Sequence, residues 1–113
     1  MVRLQLLVLG VALSGCSLKK MAVDQTADVL ADGSRAFDNE TDPELAAAAI
    51  PASLKTLESF LEANPEQRIL LRLLAEGFAN YAFGFIEDEA ERVQDAEPDR
   101  ANTLRSRALD YYL

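Results

Sequence analysis

Histidine is absent from this 113-residue chain, and so is tryptophan. Without histidine the chain has neither the commonest general base nor the commonest metal ligand. Ser-His-Asp triads, zinc sites of the His or Cys kind and di-iron sites built on Glu-x-x-His are all excluded. Cysteine occurs once, at Cys16, so no disulfide can form within the chain. Positive charge is scarce as well: 11 Lys and Arg stand against 19 Asp and Glu, for a net charge of −8. Such a surface repels nucleic acid and anionic headgroups, and no nucleic-acid partner is expected. There is no phosphate loop and no dinucleotide fingerprint, so no cofactor is expected either. Beyond the N-terminus, no apolar stretch reads as long enough for a bilayer span of about 20 residues.

What is present begins with Met1-Val2-Arg3, one basic residue, followed by the apolar run Leu4–Ala12 and then Leu13-Ser14-Gly15-Cys16. A basic start, a short apolar core and small residues before a cut are the layout of a secretory signal. The run is too short to span a bilayer. Leu-Ser-Gly-Cys resembles the lipobox of bacterial lipoproteins. That resemblance implies cleavage between Gly15 and Cys16 and acylation of Cys16, leaving it as the first mature residue. Two or three acyl chains anchor stably where one does not. Residues 1–15 are therefore read as signal peptide, 16–20 as a lipid-anchored tether and 21–113 as the folded domain. Loss of residues 1–15 leaves 98 residues, with 10 basic against 19 acidic. That is one small domain at most. Ser17, rather than Asp, follows the cysteine, and the usual sorting rule then favours the outer membrane, facing the periplasm.

Apolar spacing in the mature part is helical throughout, and an all-α fold is expected. A first helix is expected from Met21 to about Leu30, then a polar loop through Asp32-Gly33-Ser34 and Asp38–Thr41. Asp42-Pro43-Glu44 is a helix start: a cap, a proline suited to the first turn and an acid at the positive end of the dipole. Pro51 is expected to kink this helix near Ile50. The stripe Ile50, Leu54, Leu57, Leu61 continues it, and Asn64-Pro65 ends it. A third helix is expected from about Glu66 to about Arg92, with Leu71, Leu74, Phe78, Tyr81 and Phe85 on one stripe. Leu70, Leu73, Gly77 and Gly84 share an adjacent face. The two glycines reflect either close approach of another helix or simple tolerance. A fourth helix starts near Pro98 and carries Ala101, Leu104, Ala108 and Tyr111 or Tyr112.

With Pro65 as the closing proline of a 34-residue tetratricopeptide unit, Ser53-x3-Leu57 falls on its second helix. Leu71-x2-Leu74-Ala75-x2-Phe78 then falls on the first helix of the next unit. Antiparallel helix pairs of an α-solenoid are expected, about two of the three or more units such folds need. The fourth helix runs to Leu113 without a stop signal. The chain is thus expected to be the N-terminal portion of a longer protein, with a bare terminal face at Leu104, Ala108 and Tyr112.

Asp42-Pro43-Glu44-Leu45, Ala49, Pro51, Leu54-Lys55, Glu58, Leu61 and Asn64-Pro65 resemble the start of the TRAP-transporter T-component (TatT) family. So do Leu70-Leu71, Leu74-Ala75, Gly77-Phe78, Tyr81-Ala82 and Phe85. The resemblance implies a periplasmic lipoprotein of tetratricopeptide-like helices. It implies association with the solute-binding protein of a tripartite ATP-independent periplasmic transporter. Apolar clefts, a hydrophobic small-molecule ligand and a homo-trimer are implied as well. Phe78, Tyr81 and Phe85 are either helix–helix core or the lining of an apolar cleft. The phenol of Tyr81 argues for a wet edge.

Two other functions stay open at this point: a repeat scaffold of envelope assembly, and an enzyme using paired carboxylates. Glu87 and Glu91 share a helix face and could hold a divalent ion or act as an acid–base pair. The run of Glu87, Asp88, Glu89 and Glu91 otherwise reads as a solvated helix end. No catalytic residue and no metal ligand is assigned. The lone thiol at the lipobox is directly testable. In a lipoprotein-processing host the full chain is expected to take up acyl label and enter the detergent phase, and Cys16→Ser to abolish both.

Overall fold

The computed structural model describes residues 2–113, with side chains from Gly15 onward. Most of the expected signal peptide, residues 1–14, therefore lies outside the described side chains. The architecture is all-α. The described elements are α1 (Val2–Gly33), α2 (Arg35–Asp38), α3 (Pro43–Ala63), α4 (Arg68–Tyr81), a π-helical segment (Ala82–Glu87), α5 (Asp88–Val93) and α6 (Pro98–Tyr112).

Two expectations about the first third are corrected. Ser17–Lys20, read as a tether, is helical and continuous with the rest of α1. No glycine or proline interrupts residues 16–32, and Leu18, Lys19, Lys20 and Met21 are good helix formers. The polar loop expected after Leu30 is mostly helical too. Gly33 closes α1, and after Ser34 the short α2 forms, leaving only residues 39–42 irregular.

The start of α3 follows its sequence. The Asp42 carboxylate accepts from the backbone N–H groups of Glu44 (3.0 Å) and Leu45 (3.1 Å), with Pro43 in the first turn. The helix then runs unbroken through Pro51 to Ala63. The turn 64–67 is pinned at both ends. Gln67 caps α4 by accepting from the N–H of Ile69. One carboxylate oxygen of Asp24 accepts from the side-chain amides of Asn64 (2.9 Å) and Gln67 (3.0 Å). Asn64 is buried, so this bond meets a demand that water cannot. It also ties α1 to the α3–α4 turn.

Residues 68–93 form one helical run with a π segment in its middle. Contrary to expectation, Arg68–Val93 is long and apolar enough, by length and composition, to cross a membrane. Only 22% of its most apolar stretch is buried, and those buried residues pack on other helices. Near its start, Leu70 joins Val23 and Ala27 of α1, with Leu57, Phe60 and Leu61 of α3 around them. Further along, Ala82 and Ile86 pack on Ala108 of α6, flanked by Tyr81, Leu104 and Tyr111. The four-residue turn 94–97 folds α6 back antiparallel on this second half.

The buried stripe is not the expected one. Leu74 is buried, but Phe78, Tyr81 and Phe85 are half-buried and Leu71 is 45% exposed. The adjacent face, Leu70 and Leu73, is the packed one. Downstream, the core falls on Ala82, Ile86 and Ala90, which the apolar pattern did not mark. A four-residue step overshoots an α turn by about 40°. The wider π turn keeps positions spaced by four closer to one line. The terminal face is corrected as well. Ala101 and Ala108 are buried, and of the residues expected to be bare only Tyr112 is exposed.

The two helical glycines behave differently. A Cβ at Gly77 would lie 2.5 Å from Cδ2 of Leu54, which is itself buried; at Gly84 it would meet nothing within 4 Å. Close approach thus explains Gly77 and leaves Gly84 merely tolerated. Alanine gains the same helix propensity at either site. Overpacking is therefore isolated in the comparison, and Gly77→Ala is expected to be less stable than Gly84→Ala by about 1–3 kcal/mol in urea unfolding.

Candidate functional site

The C-terminal end of α1, with α2 across it, does not close onto α3 and α4. Between them lies a groove of about 580 Å³. That is within the range of about 300–1,000 Å³ of small-molecule sites. Its apolar lining comes from Val29 and Leu30 of α1, Phe37 of α2, Ile50, Leu54 and Leu57 of α3, and Leu73 of α4. Val29 and Phe37 are 70% and 40% exposed, so the mouth of the groove is apolar too. Gly77 lets Leu54 lie flat against α4 and so shapes the floor.

Polar atoms ring this apolar body. Ser34, Asp38, Ser53, Thr56, Glu76 and Asn80 complete the lining. The hydroxyls of Ser34, Ser53 and Thr56 each donate to a carbonyl of their own helical turn, at 2.8, 3.1 and 3.0 Å. Glu76 is 3.8 Å from Arg72, a loose pair between two well-exposed side chains. Such a pair contributes little. None of the lining residues is a lysine or an arginine.

Phe78, Tyr81 and Phe85 do not line this groove. The structure brings them together on the other side of the spine, against α6. Phe78 and Tyr111 have ring centroids 5.5 Å apart, as have Tyr81 and Phe85, and Tyr81 lies 6.2 Å from Tyr111. Arg107 sits 5.5 Å from the Tyr111 ring centroid and donates to its phenol oxygen from Nε and Nη2, both at 3.2 Å. Arg107 is thus engaged by Tyr111 first, with the Tyr81 phenol a lesser neighbour.

The acidic run is knitted to arginines. Asp88 pairs with Arg92 at 3.2 Å, and Glu89 pairs with Arg92 at 2.7 Å and with Arg100 at 2.9 Å. Glu91 is exposed. Desolvation, and then the adjacent Glu87 carboxylate, hold the Tyr112 phenol above its ordinary value. Among the described residues no group of three or more Cys, Asp or Glu is placed to hold a metal ion. At the other end of the molecule, Gly15 and Cys16 are exposed, and the thiol is free.

The family model for the TRAP transporter T-component matches residues 39–113, which is most of the described fold from α3 onward. The chain belongs to this family. An uncharacterized protein of Treponema pallidum (strain Nichols) is 30% identical over 88% of this chain and 35% of its own length. The chain thus spans about a third of the length of that relative. No solved structure matches. By its description, that family is a component of TRAP transporters.

Sequence reasoning missed the groove. Its walls come from four helices, and Phe37 sits in a segment that reads as loop. The one clue was Gly77, whose close neighbour forms the floor. The aromatic cluster carries a stability prediction. Tyr111→Ala removes the partner of both Phe78 and Tyr81 and is expected to cost about 2–3 kcal/mol in urea unfolding. Phe83, 71% exposed, is the control, and Phe83→Ala is expected to change stability by less than about 0.5 kcal/mol.

Proposed function

We propose that this protein is a lipid-anchored, non-catalytic accessory subunit of a tripartite ATP-independent periplasmic transporter. The family match over residues 39–113 carries the reading. Cleavage between Gly15 and Cys16 and acylation of Cys16 hold the chain on the membrane, with the outer membrane favoured by Ser17. The free, exposed thiol is compatible with that chemistry. Residues 16–20 then act as the first turn of a helical lead from the lipid rather than as a flexible tether.

The folded part from residue 21 works as tetratricopeptide-like helix pairs. Supporting this, α1 packs with α3 across the segment that holds α2, and the 68–93 helix packs with α6 across a four-residue turn. The helical surface docks the transporter's solute-binding protein, and assembly as a homo-trimer follows the family's pattern. A hydrophobic small molecule occupies the groove between α1, α2, α3 and α4. The aromatic cluster at Phe78, Tyr81 and Phe85 already has Tyr111 as its partner and is assigned to helix packing.

Docking is checked by mixing the full chain with the TRAP solute-binding protein of the same cell and following sedimentation. A complex of defined stoichiometry is expected, with the accessory chain present as three copies. Independent sedimentation of the two proteins contradicts the reading.

A further inference from the structure

The groove's polar atoms are nearly all acceptors. Its three hydroxyl groups spend their hydrogens on their own helices, at Ala31, Ala49 and Ala52. What they offer a ligand is oxygen lone pairs. Asp38 and Glu76 add two carboxylates. Asn80 supplies the one side-chain amide, and no lining residue supplies a positive charge. The loose contact from Arg72 offsets part of Glu76's charge but leaves Asp38 unmatched in the lining. An organic carboxylate placed here would meet two like charges and find few donors.

We propose that the groove selects an apolar molecule bearing a protonated amine, and discriminates against organic anions of the same shape. This deepens the reading of the groove as a ligand site and rests on it. The apolar body lies along Leu54, Leu57 and Leu73, beneath Phe37. The ammonium group, a donor of three hydrogen bonds and no acceptor, sits at the rim between α2 and α4. There its positive charge is matched by the carboxylates of Asp38 and Glu76, and the groove's hydroxyl oxygens are acceptors for whichever N–H group reaches them. Charge sets the choice among ligands, while the apolar walls supply the affinity they share.

Three probes of one shape separate these parts: 4-phenylbutylamine, 4-phenylbutan-1-ol and 4-phenylbutyrate. Each is titrated against the full chain by saturation-transfer NMR. The amine is expected to bind about tenfold more tightly than the acid, with the alcohol between them. The double variant Asp38→Asn, Glu76→Gln is expected to bring the amine within about twofold of the alcohol, with the alcohol's own affinity unchanged. Both residues are exposed, so the variant keeps the fold, which circular dichroism verifies. Binding of the acid as tightly as the amine overturns the proposal. So does an amine preference that survives in the double variant. Failure of the alcohol to bind overturns the groove reading itself, and this inference with it.

Discussion

The fold depends on a change of helical register inside one continuous helix. Residues 68–93 must face α1 and α3 with one end and α6 with the other. In its first half Leu70, Leu73 and Leu74 meet the earlier helices. In its second half Ala82, Ile86 and Ala90 are the buried positions. A pure α-helix would carry those last three progressively around its axis, by about 40° at each step of four. The π segment Ala82–Glu87 widens the turn where the correction is needed. The second face also depends on small side chains. Ala82, Ala90, Ala101 and Ala108 are essentially without solvent exposure, so the two helices pack through alanines rather than leucines.

That division of labour explains where the groove lies and why the aromatics are elsewhere. The α6 hairpin consumes Tyr81 and, through Tyr111, Phe78. On the other side, α1 is held to the α3–α4 turn at Asp24, low on the bundle. Its far end, with α2, is left to diverge. The space between is lined by apolar residues that have no helix to cover them. The proposed ligand is assigned to this recess, so the packing pattern and the proposed function meet at the same four helices.

Much of the fold was legible in the sequence. Asp42-Pro43, Asn64-Pro65 and Pro98 marked three helix boundaries correctly, because capping and proline act locally. The all-α class followed from periodicity, while the two helical glycines left close approach and tolerance open, and packing decides for close approach only at Gly77. The family was legible too, from residues between Asp42 and Phe85. Three features were not. The buried stripe of the long helix was displaced, because a π turn leaves no period of its own in six residues. Ala101 and Ala108 of the last helix lie on its apolar stripe, but their partners Ala82 and Ala90 do not stand out by size. The groove was hidden because Val29, Phe37, Ile50 and Leu73 are neighbours only after α1, α2, α3 and α4 have packed. In the acidic run the pairs with Arg92 follow from spacing along α5, whereas Arg100 reaches Glu89 only because the turn at 94–97 folds α6 back.

The register of the 68–93 helix is most directly tested by deleting Gly84 from the full chain. Gly84 has no side chain and no close neighbour, so its removal costs no contact of its own. A π turn holds about one residue more than an α turn, so the deletion lets this segment relax to α geometry while Ile86 and Ala90 keep facing α6. Hydrogen exchange followed residue by residue is the readout. Protection is expected to persist across residues 101–108 of α6 and at the amides of Leu70, Leu73 and Leu74. Collapse of protection across 101–108 in the deletion variant would contradict the account, since the π turn would then not be the extra residue that aligns the two faces.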